Sequence, residues 1–301
     1  MKRILCLYTG GTIGCLPTEN GLAPAPGILS TPLQALAAGH ALEVTLQEYP
    51  QLLDSSSMGP ADWNRIGQDI AIQYDAFDGF VVLHGTDTLA YTAAALSFQL
   101  ENLGKPVIVT GSQRPWLQDA SDAPANVALA LTAAASGIAG VRVAFGGKLL
   151  PGNGVRKVDA DGDTAFDAPN WNGEWPAPRN SGDLRFTAID PTSRVVGIKL
   201  YPGTSYDWLA QSLVEPLQGI VLETYGSGNL PDHAGLIAAL EKQAAAGAII
   251  VNCTQCLRGM VRQGRYASSS ALARIGALPA EDMTPEAALV KLYCMLAKTG
   301  A

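Results

Sequence analysis

Short apolar runs that each end in a small, polar turn recur along the first half of the chain. The runs at 79–83 and 105–109 are apolar at nearly every position, which indicates strands buried on both faces. Alternation of strand, polar turn and helix predicts a parallel sheet with right-handed crossovers. The predicted strands are 3–8, 43–49, 79–83, 105–109 and 141–145, and the predicted helices begin at Gly59-Pro60, after Thr88 and at Asn126.

A smaller set of alternating elements is predicted in the last third of the chain. It comprises strands 195–200, 219–223 and 248–253 and helices 207–213, 232–245 and 285–298. Thr284 and Pro285 open the last helix as an N-cap and a first-turn proline. The predicted fold class is α/β, with a larger, flavodoxin-like parallel-sheet domain at 1–181, a linker at 182–194 and a smaller α/β domain at 195–301.

Three segments show neither a helical nor a strand period. Residues 16–32 are rich in proline, glycine and small side chains, and they are predicted to form a loop that acts as a lid. Residues 148–158 predict a hairpin around Pro151-Gly152-Asn153-Gly154. Residues 167–190 predict a surface excursion that leads into the linker.

The carboxyl ends of the predicted parallel strands carry the side chains that are candidates for catalysis or ligand binding. The first strand breaks into Thr9-Gly10-Gly11-Thr12-Ile13-Gly14, and open α/β folds bind ligands at this edge. These glycines do not fit G-x-G-x-x-G, and alone they also suit a plain connecting turn. The four turns that converge on this edge carry Thr12; Asp54, Ser55 and Ser56; Thr86 and Asp87; and Ser112. Four such turns at one edge predict a site.

A threonine hydroxyl is a weak nucleophile unless a neighbouring group removes its proton. Thr12 and Thr86 are the candidate threonines. Lys157, in a strongly polar local sequence, is a candidate for a Thr86–Lys157–Asp87 relay, but the sequence alone favours a solvated surface lysine. His84 is another candidate base, but it follows an apolar strand and equally suits a buried histidine bonded to backbone.

Composition narrows the range of functions. Of the 301 residues, 48% are hydrophobic and 16% charged, which is typical of a well-packed globular protein. A net charge of −7 without a Lys/Arg cluster argues against nucleic-acid binding. No apolar stretch approaches the ~20 residues that span a bilayer. Five scattered cysteines suit free thiols in the cytoplasm, and Cys253-x-x-Cys256 lacks the second pair that a zinc site needs.

Five motifs, in order along the whole chain, resemble those of the bacterial-type L-asparaginases and are most similar to the cytoplasmic type I branch. The motifs are Tyr8-Thr9-Gly10-Gly11-Thr12-Ile13-Gly14, Asp54-Ser55-Ser56-Ser57-Met58, His84-Gly85-Thr86-Asp87-Thr88, Thr110-Gly111-Ser112-Gln113-Arg114-Pro115 and Asn252-Cys253-Thr254-Gln255-Cys256. The resemblance implies a cytoplasmic amidohydrolase that releases ammonia from L-asparagine without metal or cofactor. It also implies a homodimer or homotetramer with each site near a subunit interface, and no nucleic-acid or membrane partner.

The resemblance also implies a role for each matching position. Thr12 matches the nucleophilic threonine, while Thr86, Asp87 and Lys157 match the second threonine, the acid and the lysine. Asp54 is expected to pair with the substrate's ammonium group and Ser55 to donate to its carboxylate. Backbone N–H groups around Thr12 and Thr86 are expected to stabilise an oxyanion. The implied substrate contacts are Gly11, Asp54, Ser55, Ser56, Gly85 and Ser112.

The sequence departs from the family pattern in two places. Leu22 stands in the mobile lid where the family has a tyrosine that helps activate the first threonine, and leucine cannot hydrogen-bond a hydroxyl. Glu223 and Arg156 stand near a pocket in which some type I members bind an activating asparagine. An ion pair between them would fill that pocket, so we expect hyperbolic kinetics. A Hill coefficient clearly above one would contradict this expectation.

Two alternatives keep the same fold. A glutaminase-like amidase would supply ammonia to a partner, but this sequence carries neither the extra domain nor the nucleic-acid surface that such a role needs. A non-catalytic amino-acid binder is favoured only by Leu22, and it gives no reason for Thr86, Asp87 and Lys157 to occur together.

Overall fold

The computed structural model describes residues 1–175, 182–264 and 267–299, and it divides the chain into two units, Met1–Ala188 and Ile189–Ala301. The predicted α/β class, with a larger N-terminal unit built on a parallel sheet, is confirmed. The predicted domain end at 181 lies outside the described residues, and the observed division falls inside the predicted linker. None of the described helices combines the length and apolar character needed to cross a membrane.

A six-stranded sheet forms the centre of the first unit. Its strands are β1 (Lys2–Gly10), β4 (Leu42–Leu53), β5 (Gly79–Leu83), β7 (Pro106–Thr110), β8 (Gly140–Phe145) and β9 (Lys148–Pro151). Their order is β4-β1-β5-β7-β8-β9, and all neighbours are parallel except β8 and β9. The five parallel strands therefore have the flavodoxin-like order, in which ligands bind beyond the carboxyl end of the first strand.

Four helices cover the two faces of this sheet. They are α1 (Ser30–Gly39), α2 (Pro60–Ile72), α3 (Leu89–Gln99) and α4 (Ala123–Ala135). Side chains alternate along β1, so that Leu5 and Leu7 pack with α2 and α3, whereas Ile4 and Cys6 pack with α1 and α4. Burial on both faces explains why the central strands are continuous apolar runs.

The prediction that residues 16–32 form a loop is wrong. Strands β2 (Cys15–Thr18) and β3 (Gly21–Pro24) pair as an antiparallel hairpin, and α1 already begins at Ser30. The Thr18 hydroxyl closes the hairpin turn by donating to the Gly21 carbonyl oxygen at 2.7 Å and accepting from the Asn20 N–H. A two-stranded ribbon held by local polar contacts needs no apolar alternation, so the pattern missed it.

The predicted hairpin at 148–158 is also wrong. Strand β9 pairs with β8 through Gly146-Gly147, whereas β10 (Arg156–Lys157) pairs with β11 (Phe166–Asp167). Both glycines have positive φ, 56° and 74°, which suits a two-residue hairpin turn. This tighter turn sets the strand pairing, and the Pro151–Gly154 sequence lies beyond it.

The segment 167–190 is more than a surface excursion. Strand β12 (Arg185–Phe186) pairs with β6 (Leu100–Glu101). Phe186 and Trp171 pack against the buried apolar side chains on the sheet face that α2 and α3 cover. Residues 176–181 of this segment lie outside the described residues.

The second unit is a parallel sheet with helices. Its elements are β13 (Val195–Lys199), α5 (Tyr206–Ser212), β14 (Gly219–Thr224), α6 (Ala234–Ala245), β15 (Ile249–Thr254), α7 (Ala267–Ile275), β16 (Leu278–Pro279) and α8 (Pro285–Thr299). The strand order is β13-β14-β15-β16, and the sequence pattern did not predict α7 or β16.

Candidate active site

Three backbone turns meet at the carboxyl edge of the first unit's sheet. Gly11 has a φ of 86°, and a Cβ atom there would lie 2.3 Å from the Cα atom of Gly85. A Cβ atom on Gly85 would in turn lie 2.5 Å from Ser55 Oγ. The turns after β1, β4 and β5 can pack this closely only because two of them present glycine.

A cavity of about 200 Å³ opens between these turns. This size suits a small metabolite rather than a large ligand. Its polar side comes from the strand ends, and its apolar side includes Leu22 and Pro24 of the β2–β3 hairpin. The lining residues are Gly11, Thr12, Cys15, Leu22, Pro24, Asp54, Ser55, Gly85, Thr86 and Asp87. Most of the residues singled out from the sequence therefore share one cavity.

Lys157 reaches this cavity edge from strand β10. Its Nζ atom donates to Thr86 Oγ1 at 2.9 Å and lies 2.9 Å from Asp87 Oδ1. The lysine side chain is 20% exposed and that of Asp87 is 63% exposed. Lys157 is therefore not a solvated surface charge, and the Thr86–Lys157–Asp87 contacts expected from the sequence are present.

Thr12 begins a short 3-10 helix and also lines the cavity. Within the described part of the chain, its hydroxyl makes no hydrogen bond, so it is open to a ligand. The Gly11 N–H donates to the Leu53 carbonyl oxygen at 3.2 Å, so this amide is not free to bind an oxyanion.

The β4 turn presents an acid and a hydroxyl. Asp54 caps the 3-10 helix Ser55–Ser57, and its Oδ1 atom accepts from the Ser56 N–H at 3.0 Å. Ser55 is buried, and its carbonyl oxygen accepts from the Thr88 hydroxyl at 2.7 Å. Asp54 and Ser55 line the cavity from a turn whose backbone is already held in place.

Comparisons with known proteins agree with this arrangement. Residues 3–174 match the model of the asparaginase N-terminal domain, and residues 194–301 match that of the glutaminase/asparaginase C-terminal domain. The chain is 42% identical to L-asparaginase 1 of Escherichia coli, over 99% of this chain and 92% of that protein. The chain belongs to the asparaginase family.

Solved structures of other family members share the fold over nearly the whole chain. L-asparaginase I from Vibrio cholerae superposes with a TM-score of 0.86 at 42% identity, covering 99% of this chain and 93% of that one. The thermostable L-asparaginase from Thermococcus kodakarensis gives a TM-score of 0.88 at 36% identity, covering 98% and 93%.

Other candidate residues lie outside the cavity lining of the described chain. Ser56 is exposed and contributes its backbone N–H to Asp54. Ser112 is fully buried, and its hydroxyl donates to the Arg114 carbonyl oxygen. Thr9 is buried and donates to the Leu83 carbonyl oxygen at 3.0 Å.

His84 is a buried structural residue of this asparaginase fold. Its Nδ1 atom lies 2.7 Å from the Gly85 carbonyl oxygen, so Nδ1 carries the proton, and Nε2 accepts from the Thr92 hydroxyl at 2.8 Å. Burial lowers the pKa of His84 to about 4. The ring is therefore neutral near pH 7 and fixes the turn that carries Thr86.

Tyr8 does not replace the loop tyrosine that the family has where this chain has Leu22. Its ring is buried on the sheet face that α1 and α4 cover. Its hydroxyl lies next to Gly14, where a Cβ atom would come within 1.8 Å of the Tyr8 hydroxyl oxygen. Burial raises the pKa of Tyr8, so its phenol stays protonated near pH 7 and cannot take up a proton from Thr12. Leu22 lines the cavity and is 55% exposed.

The remaining residues singled out from the sequence lie elsewhere. Arg156 is in β10 of the first unit and Glu223 is in β14 of the second. Cys253 is buried and Cys256 exposed, both as free thiols. Among the described residues, no group of three or more His, Cys, Asp or Glu side chains is placed to hold a metal ion.

Gln113 lies in one of the five motifs and makes a contact that the residue pattern did not predict. Its Oε1 atom accepts from the Thr86 hydroxyl at 3.1 Å. The only sequence signal was its position next to Ser112 in a turn at the same sheet edge.

Proposed function

We propose that this protein hydrolyses the side-chain amide of L-asparagine to L-aspartate and ammonia through a threonine nucleophile. The observation that carries the proposal is the contact of Lys157 with both Thr86 and Asp87, at 2.9 Å each, beside a small cavity that also contains Thr12. Relatives named L-asparaginase support the choice of substrate.

Substrate recognition follows from the charges around the cavity. Asp54 pairs with the α-ammonium group, and Ser55 donates to the α-carboxylate. The N–H groups of Thr12 and Thr86 hold the oxyanion that forms on the side-chain carbonyl. Gly11 and Gly85 let the backbone approach the substrate closely, and Ser56 and Ser112 support the turns.

The reaction proceeds through an acyl-threonine ester. Thr12 Oγ1 attacks the amide carbon, and Thr86 Oγ1 takes up its proton while the Thr86 proton turns from Gln113 to the neutral amine of Lys157, where Asp87 stabilises the resulting ammonium. The C–N bond then breaks, and the leaving nitrogen takes a proton from the relay and departs as ammonia. Water attacks the ester, releases L-aspartate and returns a proton to Thr12.

We further propose that the protein works in the cytoplasm as a homodimer or homotetramer, in which a neighbouring subunit completes each site. The family resemblance supports this assembly. Light scattering coupled to size exclusion measures it, and a monomer with full activity contradicts it.

Ammonia release from L-asparagine at about 10 mM, above the KM of most enzymes, tests the proposed function. We expect turnover by the parent protein and its loss in both Thr12→Ala and Thr86→Val. Thr132→Val, on the exposed surface of α4, is the matched control and should keep parent activity. L-Glutamine in parallel assays measures the glutaminase alternative. A parent that releases no ammonia from asparagine contradicts the proposal.

A further inference from the structure

The orientation of the Gln113 side-chain amide is fixed by two carbonyl groups. Its Nε2 atom donates to the carbonyl oxygens of Ala160 at 2.8 Å and Gly162 at 3.3 Å. An NH₂ group can donate to these oxygens, whereas an amide oxygen would repel them. Oε1 of Gln113 therefore faces Thr86, where it acts only as an acceptor.

This orientation assigns the single proton of the Thr86 hydroxyl. The hydroxyl donates to Gln113 Oε1 at 3.1 Å, and its oxygen accepts from Lys157 Nζ at 2.9 Å. A hydroxyl has one proton and two lone pairs, so among the described residues one lone pair of Thr86 has no donor. Because Thr86 lines the cavity, this lone pair is available to a ligand there.

The backbone that carries Gln113 is itself held from helix α4. The Asp122 carboxylate accepts from the N–H groups of Gln113 at 2.9 Å and Arg114 at 3.0 Å. Asn126, one turn further along the chain, donates to the same carboxylate and to the Gly111 carbonyl oxygen. Gln113 is therefore a preorganised support rather than a mobile surface side chain.

The loop at 159–163, which Gln113 contacts, is also held by an ion pair with Arg114. Arg114 Nη2 lies 2.7 Å from Asp163 Oδ1, and Asp159 accepts from the N–H groups of Asp161 and Gly162 within the loop. Loop anchoring and Thr86 orientation can thus be separated by substitution, because Arg114 holds the loop without touching Thr86.

We propose that Gln113 is a positioning residue that fixes Thr86 as a hydrogen-bond acceptor toward the cavity, and so favours an amide substrate over its carboxylate product. This inference rests on the proposed function. An amide NH₂ group offers donors to the free lone pair of Thr86, whereas a carboxylate offers none. With Gln113 in place, the product carboxylate loses one hydrogen-bond donor that a freely rotating Thr86 would give it.

The test compares Gln113→Met with the parent through kcat and KM for L-asparagine and the affinity for L-aspartate. Calorimetric titration of aspartate needs no turnover. We expect kcat to fall about 10- to 100-fold, as for a misplaced catalytic group, with KM changing little. Aspartate should bind about 3- to 10-fold more tightly, because Thr86 is then free to donate to it.

Two variants serve as controls. Gln118→Met changes an exposed glutamine a few residues along the same segment, and Arg114→Met cuts the second loop tie. Both should keep aspartate affinity within about threefold of the parent, on the scale of a weak surface contact. Equal effects of Gln113→Met and Arg114→Met would overturn the proposal in favour of simple loop anchoring.

Gln113→Glu provides the second line of evidence. Its carboxylate still accepts from Thr86 but faces the Ala160 and Gly162 carbonyl oxygens, so the melting temperature should fall while aspartate affinity stays near that of the parent. Tighter aspartate binding in this variant overturns the proposal, even where Gln113→Met fails to fold. Unchanged aspartate affinity in a folded Gln113→Met also overturns it. A parent without asparaginase activity instead contradicts the proposed function.

Discussion

The two threonines of the candidate active site occupy different kinds of surroundings. Thr86 is 6% exposed, and its hydroxyl has partners in Lys157 and Gln113. Thr12 faces the same cavity, and within the described residues its hydroxyl has no hydrogen-bond partner. The wall beside it includes Leu22, which is 55% exposed. In the proposed mechanism, proton transfer therefore depends on the contacts of Thr86, whereas the surroundings of Thr12 are completed by the substrate and the β2–β3 hairpin.

Removing the Lys157 amine should lower kcat more than any other substitution considered below. Lys157→Met takes away the group that contacts both Thr86 and Asp87, so we expect kcat to fall about 10²- to 10⁴-fold, the usual contribution of a positioned acid or base. Stability should change little, since Asp87 is 63% exposed and keeps its solvation. Steady-state kinetics and thermal unfolding measure the two effects.

Lys148→Met is the matched control, because Lys148 is 48% exposed and pairs with Asp167 at 3.6 Å on the same unit. It should keep parent activity. Equal rates in the Lys157 and Lys148 variants would mean that the proton handling does not lie on the Thr86 side.

The close contact between the Gly11 turn and the Gly85 turn should be almost as sensitive to substitution. Gly11→Ala combines a positive φ with a Cβ atom 2.3 Å from the Gly85 backbone, so both turns must separate. Gly137→Ala is the control for backbone conformation alone, because φ there is 72° and its Cβ atom meets open space. The control should cost about 1–2 kcal/mol of unfolding free energy. The Gly11 variant should cost more and also lose activity, and equal losses in denaturant unfolding would show that the turns can move apart freely.

His84 should make the stability of the turn that carries Thr86 fall at acid pH. Its folded-state pKa is lowered from 6.5 to about 4 by burial. Above pH 6.5 the ring is neutral in both folded and unfolded chains; as pH falls toward 4, the unfolded chain binds the proton first. The stability lost over this window is about 3 kcal/mol at most.

The measurement is the free energy of unfolding between pH 7 and about pH 4, where the folded ring begins to take up its proton. His84→Gln should remove that part of the pH dependence, whereas His40→Gln, at an exposed position, should leave it intact. An unchanged pH dependence in the His84 variant would mean that this ring does not couple the turn to acid.

The sequence predicted the parts of the molecule that follow from local chemistry. Apolar runs buried on both faces marked the central strands, and polar residues at their ends marked the cavity. Lys157 comes from a distant strand, and it was the family resemblance, not the local pattern, that assigned it to the relay. The hairpin at 15–24 and the pairing of β9 were missed, because short polar ribbons and Gly-Gly turns carry little apolar periodicity.

Gln113 was missed for a different reason. Its role depends on the direction of one amide, and that direction is set by carbonyl groups of the 159–163 loop, which is distant in sequence. A pattern of residue types identifies candidates for acid, base and nucleophile. It does not identify a neutral side chain that acts by orienting another residue's proton.

Leu22→Tyr should change kcat the least, and it tests the surroundings of Thr12. A tyrosine at this half-exposed cavity wall offers a phenol to the Thr12 hydroxyl, which the family's loop tyrosine helps to activate, so we expect kcat to rise several-fold. Leu117→Tyr, at another exposed leucine of the same unit, should leave the rate unchanged. Equal rates in the parent and both variants would indicate that the hairpin acts by covering the substrate, and that Thr12 depends on the Thr86 side for activation.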